Sequence, residues 1–143
     1  MVAPSGQQAE ADNRTLIEVR IAASPAQISA VRVVAADLAA RQDFDLDAVS
    51  DLRMAVDEAC ATLVPLAAPG TMLSCRFLVD AASIEVLVTV IVPRPARVPQ
   101  NTFGWRVLAT LTDDVQAIAT DGDDGQRPMA GIKLCLRRER SEG

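Results

Sequence analysis

The sequence predicts a two-layer α/β sandwich, with a mixed but mostly antiparallel sheet and helices packed on one face. Three observations predict it. Hydrophobic periodicity gives the element order β-α-α-β-β-α-β-β, which lacks the strict alternation of a parallel sheet. Two apolar runs are separated only by Asp80-Ala81-Ala82-Ser83, a hairpin link. The 143 residues, 50% apolar and 3% aromatic, suffice for one core, which must be aliphatic.

The elements follow in order. Residues 1–14 are small and polar and read as a mobile tail; residues 15–138 form the single domain, and 139–143 a second tail. Thr15 to Ala22 alternates apolar and polar residues, as a half-buried strand does. Ser24-Pro25 starts a helix, with Ser as cap and Pro at the first helical position. Ile28, Val31, Val34, Ala35 and Leu38 form its buried stripe, and it ends near Arg41. After an acidic connector, Asp47 is the expected cap of a second helix, which ends near Pro65. Leu52, Ala55, Val56, Ala59, Cys60 and Leu63 recur on one face of it. Glu58 and Thr62, four apart, share another.

Thr71 to Val79 and Ile84 to Val92 are the hairpin strands, and the Val and Ile content of the second suits burial on both faces. Pro93 to Pro99 is an extended loop without ladder donors. A short helix runs from Phe103 to about Leu111, with Phe103, Val107, Leu108 and Leu111 on one side. Val115 to Thr120 and Ile132 to Leu136 are strands around an acidic turn at 121–125, and Arg137, Arg138 and Arg140 trail into solvent.

Composition narrows the function. A net charge of −5 argues against nucleic-acid binding and for a protein partner. The absence of histidine removes Ser-His-Asp and Cys-His hydrolases. Cys60, Cys75 and Cys135 lie in apolar runs, odd in number and without metal spacing, and read as buried thiols of a reducing compartment. No run reaches membrane-spanning length and no signal pattern opens the chain, so a cytoplasmic location is expected.

Two stretches carry a family likeness. The helix segment Ala55-Val56-Asp57-Glu58-Ala59-Cys60, and Gly104-Trp105-Arg106-Val107-Leu108-Ala109-Thr110-Leu111 running into Thr112-Asp113-Asp114-Val115, resemble the anti-sigma-factor serine/threonine kinases of the RsbW and SpoIIAB type. These belong to the wider histidine-kinase-like ATPase (Bergerat) fold. The likeness spans about residues 15–138 and looks most like the actinobacterial, mycobacterial-type RsbW branch. It implies a homodimer that sequesters an alternative sigma factor of the sigma-F or sigma-B type. A STAS-domain anti-anti-sigma factor relieves the inhibition, and kinase members phosphorylate a Ser of that antagonist with Mg-ATP.

By the resemblance, Glu58 matches the catalytic-helix Glu that activates the attacking hydroxyl. Thr62 stands where the family has a Mg-binding Asn. The family's Asp-x-Gly-x-Gly, which reads adenine, falls on Ile91-Val92-Pro93-Arg94-Pro95. Of the Gly pair in the lid only Gly104 is kept, with Thr102 at the other position, so the ATP lid is short; the Gly-Thr before the last strand is replaced by Gly131-Ile132. With four ATP-contact features altered together, a kept fold with weak or lost nucleotide binding is expected. Arg32 matches a helix Arg in the surface shared by sigma factor and antagonist; its other reading is a solvated charge. Arg94 and Arg97 are either anion contacts or solvated, and Trp105 is either core filler or an interface anchor.

Three functions compete. The expected one is an anti-sigma factor with a degenerate nucleotide site. The alternative is an active anti-sigma kinase using Glu58 and Mg-ATP. The third is an unrelated sandwich domain that merely oligomerises. The homodimer that the resemblance implies packs near the first strand and helix, and the aliphatic strand Leu16 to Ile21 at a sheet edge would allow it.

Overall fold

The computed structural model describes residues 14–138. Apart from Arg14, the tails expected at 1–14 and 139–143 lie outside the described residues, as does Arg140. The elements are β1 (Thr15–Ala22), α1 (Ile28–Arg41), α2 (Leu46–Leu63), β2 (Met72–Val79), β3 (Ser83–Ile91), α3 (Phe103–Leu111), β4 (Asp114–Thr120) and β5 (Met129–Arg137). The five strands pair in the order β1-β2-β3-β5-β4, every pairing antiparallel. This is the two-layer sandwich that the element order implied. Among the described residues no helix is long and apolar enough to cross a membrane.

The register explains why one face of the sheet collects the core. Phe77 is opposite Val86 and Ile17, Cys75 opposite Val88 and Val19, and Val86 opposite Leu134. Successive side chains point to opposite faces, so one set of alternate residues packs together under the helices. Leu73, Cys75, Phe77, Ile84, Val86, Val88, Ile132 and Leu134 are fully buried there. From the helical layer Leu52, Ala55, Val56, Ala59, Cys60 and Leu63 of α2 are all at zero exposure, the stripe read from the sequence. On α1 the buried set is Ile28, Val31, Ala35, Leu38 and Ala39, while Val34 is only half-buried.

Four local expectations are corrected. β3 is not buried on both faces: every second residue is half-exposed, because among the described residues no layer covers the far side of the sheet. Ser24 makes no side-chain cap; a 3-10 turn over Pro25–Gln27 leads into α1, closed by Gln27 N–H donating to Ser24 O at 3.1 Å. The cap of α2 is Asp45, not Asp47, its Oδ1 accepting from Ala48 N–H at 2.8 Å. The reason lies upstream. Asp43 takes a left-handed φ of 59°, Asp43 N–H reaches Ala40 O and Phe44 N–H reaches Ala39 O, and this Schellman closure of α1 lets the next helix begin at Leu46. Finally, Arg138 does not trail into solvent: its guanidinium donates to Gln42 O, to Asp43 O at 3.1 Å and to Ala81 O at 2.8 Å, and stacks over Phe44 at 4.9 Å. It thereby ties the end of β5 to the end of α1. The cap supplies a test: Asp45→Ala should lower stability by about 1 kcal/mol, read as an earlier denaturant midpoint, while Asp47→Ala should change it by less than half of that.

Candidate functional site

α2 carries two groups of polar residues on different sides. On the side toward α3 are Glu58 and Thr62, both half-buried. Thr62 Oγ1 donates to the Glu58 main-chain oxygen at 2.9 Å and lies 3.3 Å from Glu58 Oε2. The shared face expected from the spacing is therefore real, and the hydroxyl is already engaged within its own helix.

Gly104 completes this group. A methyl placed on its Cα would overlap the Glu58 carboxylate, with Cδ only 3.2 Å away. The first turn of α3 thus rests directly on the end of the Glu58 side chain, and a larger residue at this position would have to push that carboxylate aside. Thr102, which occupies a lid-glycine position of the resembling family, caps α3: its Oγ1 accepts from Trp105 N–H at 3.1 Å. The segment from Val92 to Thr102 is pinned at Val92 and Val98, both buried. Val92 N–H is bonded to Pro128 O and Ile91 O to Ala68 N–H. Trp105 is half-buried and packs on the core, in keeping with the core-filler reading. Phe103, placed on the buried side of α3 by its spacing, is instead 80% exposed, because Gly104 and Leu108 define the side that meets α2.

The fit to Mg-ATP is poor on these grounds. Where adenine would meet an Asp carboxylate the chain offers the apolar Ile91 and Val92, and the Ile91 carbonyl already accepts from Ala68 N–H at 2.7 Å. Pro93, Pro95 and Pro99 have no N–H to offer phosphate. Thr62 Oγ1 lies 3.3 Å from Glu58 Oε2, and the Glu58 carboxylate lies against Gly104. Arg94 and Arg97 are exposed.

The other group faces out between α1 and α2. Arg32 Nε lies 3.4 Å from Asp57 Oδ1. They border a groove of about 410 Å³ with Val33, Arg53 and Met54. Val33 and Met54 are 67% and 50% exposed, large for apolar side chains on helices. Of these residues the sequence singled out only Arg32. Asp57, Arg53 and Met54 fall on the outward side of the amphipathic helix, where charge is ordinary; the signal that was available is Val33, apolar and off the buried stripe.

The surroundings of the thiols favour their protonated form. Burial, then the Asp57 charge, pushes Cys60 up to about 12. Burial also raises Cys75, with Cys60 adding, and Cys135, which is only half-buried on the open side of the sheet. All three stay protonated thiols.

Comparison with known proteins agrees with this architecture. Residues 21–127 match the family described as Histidine kinase-like ATPase domain. The anti-sigma-F factor RsbW of Mycobacterium tuberculosis, in strains H37Rv and CDC 1551 / Oshkosh, is 33% identical over 153 aligned positions, covering 96% of this chain and 88% of that protein. The serine-protein kinase RsbW of Bacillus pumilus is 32% identical over 78 positions, 51% of this chain and 48% of that protein. With its antiparallel five-stranded sheet under three helices, the chain belongs to the histidine kinase-like ATPase family, in its RsbW group.

Proposed function

We propose that this protein is a cytoplasmic anti-sigma factor that sequesters a sigma-F-class alternative sigma factor and yields it to a STAS-domain anti-anti-sigma factor. It acts as a homodimer through binding, and its nucleotide site is degenerate. The observation that carries this reading is similarity along 96% of the chain to proteins named anti-sigma-F factor. Within it, the α1–α2 face holding Arg32 is open, while Glu58 is half-buried with the first turn of α3 against its carboxylate. A guanidinium flanked by exposed apolar side chains suits an amphipathic partner bearing carboxylates.

A second reading, an active kinase, is favoured by one feature: Glu58 and Thr62 remain side by side at 3.3 Å. Titration calorimetry separates the two. Under the first reading Mg-ATP and Mg-ADP bind no tighter than about 1 mM, equivalent to about 4 kcal/mol, and a sigma-F-class sigma factor binds with unchanged affinity when Glu58 is replaced by Ala. Micromolar nucleotide binding with phosphate transfer to a STAS-domain Ser, abolished in Glu58→Ala, would establish the second. A chain that bound neither sigma factor nor nucleotide would belong to neither.

A further inference from the structure

The groove between α1 and α2 has a feature that the assignment of Arg32 does not use. The Arg32 guanidinium is already partnered, by Asp57 from the neighbouring helix at 3.4 Å. The two side chains are 43% and 44% exposed, so the pair is reachable from solvent and weakly held. Arg53, four residues before Asp57 on the same rim, is exposed and makes no ion pair among the described residues. The rim therefore carries two cations and one anion around apolar Val33 and Met54, on a chain whose net charge is −5. Its complement is an amphipathic segment that presents a carboxylate beside an apolar stripe.

An incoming carboxylate meets the same guanidinium that Asp57 occupies. It must replace that contact or share it, and either way it approaches a like charge. We infer that Asp57 is an intramolecular competitor for Arg32, a positioning residue that loosens the grip on the acidic partner segment and so keeps the complex releasable. This rests on the reading of the α1–α2 face as the sigma-binding surface. It adds that the native affinity is held below what the surface can reach.

The test is a double-mutant cycle on the full chain with a recombinant sigma-F-class sigma factor, measured by calorimetry at low and high salt. Asp57→Asn keeps the side-chain shape and removes the charge; Asp57→Ser serves as a second variant should the first fold poorly. Asp57→Asn is expected to tighten binding by about 3- to 10-fold, in the range of one exposed ion pair plus one like-charge contact, and to steepen the loss of affinity with salt. In an Arg32→Ala background the same change should tighten binding by no more than about 2-fold, because only the like-charge contact with the partner is left and there is no guanidinium to contest. Equal or weaker binding by Asp57→Asn, or tightening of undiminished size without Arg32, overturns the competitor while Arg32→Ala still weakens binding and the surface stands. If Arg32→Ala leaves affinity untouched, the surface assignment falls and the competitor falls with it.

Discussion

Arg32→Glu is expected to weaken sigma-factor binding by roughly 100-fold, about 2.7 kcal/mol, while changing folding stability by less than about 1 kcal/mol. The two magnitudes differ because the side chain has different surroundings in the two states. In the free protein Arg32 is 43% exposed and paired with an equally exposed Asp57, so water replaces most of what the substitution removes. In the proposed complex the groove is covered, the charge loses its solvent, and a Glu placed there would face both Asp57 and the acidic partner. Arg32→Ala should fall between, at roughly 10-fold. Affinity by calorimetry and stability by urea denaturation, measured on one preparation, decide the matter. An affinity loss matched by an equal loss of stability would make Arg32 structural, and an unchanged affinity would remove this face from the sigma surface.

What the sequence revealed and what it concealed have separable causes. The α2 stripe from Leu52 to Leu63 was legible residue by residue, because aliphatic side chains at helical spacing have one way to be buried together. The Glu58–Thr62 contact was legible for the same reason, being four residues long. β3 was misread because its outward residues include Leu87 and Ile91, apolar but half-exposed, which hide the alternation in Ile84-Glu85-Val86-Leu87. Asp45 and Asp47 were indistinguishable as caps until the left-handed Asp43 fixed where α1 ends, and no glycine marks that position. The contacts that define the site are of another kind. Asp57 lies 25 residues from Arg32, and Gly104 lies 46 from Glu58, so both pairings are products of helix packing and leave no local pattern. The same packing sets the first turn of α3 against the half-buried Glu58.

Phe77→Ala is expected to cost about 3–5 kcal/mol of folding stability, a fall of roughly 10–17 °C in Tm, whereas Phe103→Ala should stay within about 0.5 kcal/mol of the native protein. Both are phenylalanines in an aromatic-poor chain, and local sequence does not rank them. Phe77 has the greatest volume among the fully buried side chains; it sits on β2, opposite Ile17 and Val86, beneath the helices. Truncation removes its transfer energy and leaves a hole that Val86, Cys75 and Val79, fixed by sheet register, cannot close. Phe103 begins α3 at 80% exposure, so its ring leaves water only if a partner covers it. The pair therefore tests the fold and the binding reading together. Thermal unfolding should separate the variants by most of the Phe77 penalty. If Phe103→Ala proved the more destabilising, α3 would have to sit on the sheet with Phe103 inward and Gly104 away from Glu58, and the covered-site argument would fail with it.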